Sequence, residues 1–228
     1  MRKSRFTEEQ IVGVLKEQAP TMDVYDYLFA ELIAGSVARG EFLRSVRAAA
    51  PAAAGQRLLG VFLPQLGWEA SQVALLLERG QDERANVQTL LAITSGPRIV
   101  SCDVRQMTPT LRPRLGDRLK AGGIHVHRQF EVKRSNLGEF VALSGEAWPD
   151  FESRFDAEVF GLFEIASEPR TPPSSVSKLL LITRYGSHGV WEASRDPSTA
   201  AMRTFARRAA LTLRTRAAST LLAPLSSV

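Results

Sequence analysis

Four short sequence features of this chain occur twice, in the same order. The separation between the two members of each pair grows steadily along the chain, as expected if the second copy carries longer loops. Repetition of this kind predicts two copies of one supersecondary unit that bury their hydrophobic faces against each other. The pairs are Gly40–Pro51 with Gly138–Pro149, Leu58–Pro64 with Glu158–Ile165, Ser71–Gly80 with Val176–Gly186, and Thr108–Pro113 with Ser219–Pro224.

The second copy shows the elements of this unit most clearly. Ile124–Val132 alternates apolar and polar residues, which predicts a half-buried strand, and Ser135–Phe155 has the apolar spacing of a helix. The other predicted elements are the strands Glu158–Ala166, Ser177–Tyr185 and Ala210–Ala217, a helix that begins at Asp196-Pro197, and, in the first copy, the helix Asp82–Ile93 and the strand Arg98–Val104.

Each copy is therefore predicted to be a ferredoxin-like βαββαβ unit. Its helices cover one face of its sheet, and the bare face needs a partner, which the other copy can provide. The predicted fold class is α+β, with two tandem ferredoxin-like repeats that form an intrachain pseudo-dimeric α/β barrel. The predicted divisions are a leader helix (1–20), a first repeat (21–115), a linker (116–123) and a second repeat (124–225).

Three features of the repeats are typical of a known protein family. They are the FGLF strand (Phe160–Phe163), the segment LLLITRYGSHGVWEASRD (Leu179–Asp196) and the Leu-x-Pro ends of both copies. In these features the chain resembles the NIPSNAP-like group of the dimeric α/β-barrel superfamily, over residues 22–224. The resemblance implies a site on the sheet faces opposite the helices, inside the barrel.

The first residues of the chain have a different character. Thr7 and Gln10 form a capping box, and Ile11, Val12 and Leu15 follow as one apolar stripe of a helix. The stretch RKSRFTEEQIVGVLKEQ resembles the N-terminus of the helix-turn-helix subunit of insertion-sequence transposases. Ala19-Pro20 ends the helix, and no recognition helix follows, so binding of nucleic acid is not expected.

The amino-acid composition restricts the cellular compartment of the protein more than it restricts its function. The net charge of +5 comes mainly from arginines mixed with carboxylates, which is compatible with anionic ligands but identifies none. The single cysteine excludes an intrachain disulfide and fits a reducing compartment. No apolar run is long enough for a membrane span, and no apolar segment follows the basic N-terminus as in a signal peptide. The expected location is the cytoplasm.

The interior faces implied by the resemblance carry polar and aromatic side chains. On the Ile124 strand two imidazoles and a carboxylate alternate with the apolar residues, and two phenols hold equivalent places in the first copy. An arginine, a tyrosine and a tryptophan lie at or beyond the end of a neighbouring strand. The predicted ligand-binding residues are Tyr25, Tyr27, His125, His127, Glu131, Arg184, Tyr185 and Trp191.

Three hypotheses account for the His125-x-His127 pair. Residues i and i+2 of a strand face the same way, so both imidazoles could bind a transition metal, with His188 or Glu131 as further ligands. A histidine could also act as general acid or base, or contact haem as in some monooxygenases of the superfamily. The third hypothesis, which the sequence favours over the other two, is that both are polar residues of a partly wet sheet face. The candidate catalytic residues are His125, His127 and His188; no metal is predicted, and the cofactor is unknown, with haem left open.

Other conspicuous residues are predicted to be structural. Trp148 and Trp191 are more typical of packing than of pocket walls. Cys102 lies in an apolar strand, which predicts an inert buried thiol. The C-terminal arginines are predicted to lie on a solvated helix face and an outward strand edge rather than at an anion site; they are Arg203, Arg207, Arg208, Arg214 and Arg216.

No GxGxxG, P-loop, nucleophile-elbow, CxxC or HExxH pattern occurs in the chain. The leading prediction is a NIPSNAP-like barrel protein that binds a small apolar or aromatic molecule between its sheets, as a monomer with internal pseudo-twofold symmetry or as a homodimer. The first alternative is a cofactor-poor or haem-dependent monooxygenase or isomerase of the same superfamily. The second is a transposase-associated protein that binds DNA through its leader helix.

Overall fold

A computed structural model describes residues 24–49, 57–79, 83–94, 98–166 and 174–224 of the 228-residue chain. Within these residues the chain forms eight strands, five α-helices and one 3-10 turn. In chain order they are β1 (Tyr25–Leu32), α1 (Ser36–Ala49), β2 (Arg57–Leu66), β3 (Gln72–Glu78), α2 (Glu83–Thr94), β4 (Ile99–Pro109), β5 (Ile124–Lys133), the 3-10 turn (Arg134–Asn136), α3 (Leu137–Arg154), β6 (Ala157–Ile165), β7 (Val176–Tyr185), α4 (His188–Ala193), α5 (Ala200–Ala209) and β8 (Thr212–Leu222).

The described residues divide into two compact units. The β1–β4 unit contains residues 24–107, 118–125 and 218–224, with the gaps given above. The β5–β8 unit contains residues 108–117 and 126–217. β4, β5 and β8 therefore each contribute residues to both units.

The β1–β4 unit is an antiparallel sheet in the order β4-β1-β3-β2, and the end of β8 pairs with β2. Alternation along β1 separates two faces, because successive side chains of a strand point in opposite directions. The face that carries Leu28 packs with Phe42 and Val46 of α1 into the hydrophobic core of this unit. Tyr25 and Tyr27 consequently lie on the other face, and both are buried.

The β5–β8 unit has the strand order β8-β5-β7-β6, with β6 and β7 antiparallel. α3 covers one face of this sheet, where the Phe140 ring meets the Phe130 ring of β5 edge to face at 5.1 Å between centroids. α5 packs beside α3, and the Phe151 and Phe205 rings meet at 5.6 Å. These aromatic contacts hold both helices over the same sheet face.

The start of α5 is fixed by two hydrogen bonds. The Thr199 side chain accepts a bond from the Met202 amide at 3.2 Å and so caps the helix. The Asp150 carboxylate of α3 accepts a bond from the Ala201 amide at 2.9 Å. α3 therefore supplies part of the N-terminal cap of α5.

The α+β prediction is confirmed: the described residues form eight strands, and β1 with β3 and β4, β2 with β3 and β8, and β6 with β7 pair antiparallel. The element order β-α-β-β-α-β occurs twice, and in its second occurrence the last helix is divided into α4 and α5. The predicted leader helix (1–20) lies outside the described residues, and the domain boundaries stay a prediction. None of the described helices is both long enough and apolar enough to cross a membrane.

The prediction of a buried Cys102 is wrong. Cys102 is exposed, because residues 100–104 of β4 are exposed on both faces of the strand even though β4 pairs with β1. Partial burial, and secondarily the neighbouring Asp103 carboxylate, raise the pKa of the thiol to about 11. The thiol is therefore protonated at neutral pH and a weak nucleophile, as predicted, although it is only partly buried.

Candidate ligand-binding site

The β5–β8 unit encloses a cavity of about 360 Å³ on the helix-covered face of its sheet. β5 and β7 form its floor with Arg128, Thr183 and Tyr185, among others. α3 and α5 form its walls, and exposed residues of α5 and β8, such as Ala206 and Thr215, lie at its mouth. The whole cavity belongs to one unit.

Aromatic side chains dominate the walls. The Phe151 ring packs edge to face on Tyr185, at 5.9 Å, and on Phe205. Phe130 and Trp148 complete the aromatic lining, and both are buried. A space of this size with apolar walls and a few polar groups has the properties of a small-molecule site.

Arg208 of α5 places a buried cation at this cavity. It is 7% exposed, and its guanidinium lies over the Phe205, Phe130 and Phe140 rings at 4.6, 5.2 and 5.2 Å from their centroids. Its Nη1 donates to Ser144 Oγ at 3.2 Å. Burial, and secondarily repulsion by Arg128, lower the pKa of Arg208 to about 9. The cation is therefore costly to hold here, although it stays charged at neutral pH.

Arg128 of β5 provides a second cation on the floor. Its Nη2 donates to Tyr185 Oη at 3.0 Å, and its guanidinium lies 5.7 Å from the Tyr185 ring and 5.9 Å from the Trp191 ring. Arg195, an exposed residue of the cavity rim, also contacts Trp191: its guanidinium lies 5.2 Å from the centroid of the Trp191 ring. The Tyr185 phenol is thus positioned by an arginine rather than by a carboxylate.

Three buried polar atoms of cavity-lining residues have no hydrogen-bond partner among the described residues. They are Arg208 Nε, Trp148 Nε1 and Thr183 Oγ1. Buried donors are normally paired, because an unmade hydrogen bond costs about 1–3 kcal/mol. Three such atoms at one cavity indicate that it is built for polar groups as well as for apolar ones.

Of the predicted ligand-binding residues, only Tyr185 lines this cavity; the Trp191 ring lies beside it, 6.3 Å from the Tyr185 ring. Arg184 forms an ion pair with Asp156 instead. Glu131 is half-buried, and its carboxylate lies 4.0 Å from the Arg214 guanidinium. His188 is exposed at the start of α4 and lies 6.3 Å from the Trp191 ring.

The other predicted residues lie elsewhere. His125 and His127 are buried, and alternation along β5 directs them away from the face of Arg128 and Phe130. Tyr25, Tyr27 and His125 belong to the β1–β4 unit, where the His125 ring lies 5.7 Å from that of Phe62. Burial raises the pKa of Tyr27, so this phenol stays protonated.

The cavity residues do not fit haem. Haem iron is normally held by a histidine, a cysteine or a tyrosine, or by a methionine paired with histidine. No histidine or cysteine of the described chain lines the cavity, and the Tyr185 phenol is already bonded to Arg128. Nor do the described residues contain a group of three His, Cys, Asp or Glu side chains that could hold a metal ion.

Neither arginine was predicted to belong to the site, although the sequence pattern around each of them indicates an unusual position. Arg128 interrupts the apolar series Ile124, Val126, Phe130, Val132 on one face of β5. Arg208 lies on the buried stripe of α5 with Ala201 and Thr204. The prediction that the whole C-terminal arginine run is solvated is wrong at Arg208, because that position faces the sheet; the exposed members are Arg203, Arg207, Arg214 and Arg216.

No known protein family matches this chain by sequence, and no curated protein does. Solved structures match it by shape. An anthrone oxidase-like protein aligns with a TM-score of 0.62 at 12% identity, covering 89% of this chain and 92% of its own. A candidate monooxygenase from Fusobacterium nucleatum aligns with a TM-score of 0.61 at 11% identity, covering 90% and 94%. A variant of the chlorite dismutase from Candidatus Nitrospira defluvii aligns with a TM-score of 0.60 at 8% identity, covering 95% of both chains.

These similarities establish the fold and not the activity. The chain is an α+β protein with eight antiparallel strands, matching the dimeric α/β-barrel fold of these structures. Sequence identity this low carries no residue-by-residue correspondence, and one fold supports many unrelated chemistries. Any function has to be argued from the cavity itself.

Proposed function

We propose that this chain binds a small aromatic molecule in the cavity of the β5–β8 unit. One observation carries the proposal: a space of about 360 Å³ is closed by five aromatic side chains and is accessible past the exposed rim of α5. Ring-lined clefts of this size bind ligands through burial of apolar surface and stacking. The site differs from the predicted one between the sheets, because it lies on the helix-covered face.

The neutral fluorescent probe N-phenyl-1-naphthylamine tests this proposal. Its emission should rise on titration into the protein, and Ala206→Trp should abolish the rise, since Ala206 is exposed at the mouth and an indole there would fill the entrance. Ala200→Trp is the matched control, because Ala200 is an exposed residue of the same helix that does not line the cavity. Equal emission from the two variants would disprove the proposal.

A second candidate function is oxygenation of the bound aromatic molecule. It is favoured by the structural likeness to an anthrone oxidase-like protein and to candidate monooxygenases. The candidate catalytic histidines do not line this cavity, whose polar lining groups include Tyr185, Arg128 and Arg208. Oxygen uptake with anthrone that is lost in Ala206→Trp and kept in Ala200→Trp would support an enzyme; no uptake above buffer would leave binding alone.

Several finer predictions remain proposals of the same kind. They are membership of the NIPSNAP-like group, an origin of the two units as tandem repeats bounded at 21–115 and 124–225, a cytoplasmic location, and a monomeric or homodimeric state. The similarity in fold supports the assignment to the superfamily. It neither supports nor contradicts any of these finer predictions. DNA binding through the leader finds no support among the similar structures. DNA binding in a gel-shift assay that persists at physiological salt and is specific for one DNA sequence would support this hypothesis again.

A further inference from the structure

The cavity of the β5–β8 unit combines an aromatic lining with two arginines. These side chains indicate the chemical class of the ligand. Resting on the proposed function, we infer that the ligand is an aromatic acid whose anionic group is bound by Arg208 and Arg128. The aromatic part of such a ligand lies among the rings of the walls. Its anionic group accepts hydrogen bonds from the guanidinium groups and from Trp148.

The charge balance of the cavity supports an anion. Arg208 and Arg128 line it, and no aspartate or glutamate of the described chain does. Neither arginine forms an ion pair with a described carboxylate, although Arg79, whose side chain is only 8% exposed, pairs with Asp26, and Arg184, at 11%, pairs with Asp156. A buried charge without a partner is strongly unfavourable, so a counter-charge from a ligand is the natural complement.

The aromatic rings around Arg208 do not remove the need for an acceptor. Stacking of a guanidinium on rings stabilises its positive charge, but a ring accepts hydrogen bonds poorly. Arginine carries five N–H groups, and of the described residues only Ser144 accepts from the Arg208 guanidinium. Arg208 Nε is buried without a partner. Stacking therefore explains how the cation is held, and an anion explains why its donors are left open.

The other unpartnered atoms narrow the ligand class. Trp148 Nε1 is a donor only, and Thr183 Oγ1 is a donor or an acceptor. Together with the arginines they offer an excess of donors, which suits a carboxylate with its two acceptor oxygens. A cationic ligand would be repelled by both arginines, and a purely apolar one would leave Arg208 Nε and Trp148 Nε1 unpaired. An aromatic carboxylic acid satisfies the rings and the donors together.

The test compares 2-naphthoate with 2-naphthamide, which share a ring system and differ in charge. Titration calorimetry on the wild-type protein should give an affinity about tenfold or more in favour of the acid, as expected for hydrogen bonds to a charged group. In Arg208→Met the preference should disappear while the amide still binds, because methionine keeps the apolar stem and removes the charge. Arg203→Met is the control: Arg203 is exposed on the same helix and outside the cavity, so the preference should persist.

A second variant keeps the test valid if Arg208→Met fails to fold. Trp148→Phe keeps an aromatic ring in the wall and removes only the Nε1 donor, so it should reduce the preference for the acid and leave binding of the amide nearly unchanged. Equal affinities for acid and amide in the wild-type protein would overturn the inference and leave the proposed function standing. Failure of both compounds and of N-phenyl-1-naphthylamine to bind would overturn both.

Discussion

At the scale of single residues, Arg208 shows that this chain maintains a group at a cost to its own stability. A methionine would keep the apolar stem of this side chain beside Phe130, Phe140 and Phe205 without desolvating a charge. Such uncompensated polar groups are typical of sites where binding, rather than folding, requires the residue. Under the proposed function, Arg208 marks the binding site better than the three histidines of the chain do.

Gly161 of β6 is a second residue with a specific requirement. A Cβ added there would lie 2.5 Å from Pro113 Cδ and 2.9 Å from the Arg112 carbonyl oxygen. The Leu162 amide donates to the same carbonyl at 3.1 Å, so the backbone of residues 112–113 lies directly against the strand. Only glycine allows this approach without a shift of the backbone.

We predict that Gly161→Ala lowers the free energy of unfolding by about 1–3 kcal/mol, because the added methyl group overpacks a contact made by backbone and a proline ring. Chemical denaturation measures the change. Gly189→Ala is the matched control: its Cβ would meet nothing closer than 3.6 Å, and alanine is the better helix former in α4. The explanation is wrong if both variants are equally stable.

At the scale of elements, the placement of α5 against α3 forms the walls of the cavity. Asp150 links the two helices, since it accepts from the Ala201 amide and from Arg154 Nε at 2.7 Å. The hydrogen bond from Arg154, and after it the one from Ala201, lower the pKa of Asp150. The ionised carboxylate is thus favoured in the folded chain over the unfolded one.

A pH dependence of stability follows from this shift. The stabilisation by Asp150 is fully present above its unfolded pKa of about 3.9 and is lost as the pH falls through the lower folded value. Asp150→Asn should therefore have a lower Tm than the wild type at pH 6, and the gap should close towards pH 2.5. Glu139→Gln, on the same helix, removes a carboxylate that forms no ion pair or side-chain hydrogen bond with the described residues, so its Tm difference from the wild type should be the smaller of the two. A gap that stays constant with pH would show that charge is not the cause.

At the scale of the whole molecule, the cavity depends on a limited part of the chain. Every lining residue lies between Arg128 and Thr215, within the β5–β8 unit. Binding in the cavity is therefore expected to be independent of the transposase-like leader.

Deletion of residues 1–20 tests this independence. We predict a Tm within about 2 °C of the full chain and unchanged binding of N-phenyl-1-naphthylamine, because no lining residue is removed. Deletion of residues 218–228 is the contrasting variant. It removes the strand partners of β2, such as Leu222 opposite Phe62, and should lower the Tm clearly. Unfolding of the first deletion would show that the leader is part of the core.

The fold class and most of the helices and strands could be predicted from the amino-acid sequence alone. Helical spacing in Ser135–Phe155 predicted α3 (Leu137–Arg154), and alternation in Ile124–Val132 predicted β5 and its two faces, because these periods follow from backbone geometry alone. The position of the cavity could not be predicted in this way, because it depends on how the helices pack on the sheet. In the sequence, Arg208 has the pattern of a surface residue within a run of arginines. It is a buried cation only because α5 directs the helix face that carries Arg208 toward Phe130 of the sheet. Local periodicity fixes which residues share a face, whereas the packing of one element on another decides which face is closed to water and what is left inside it.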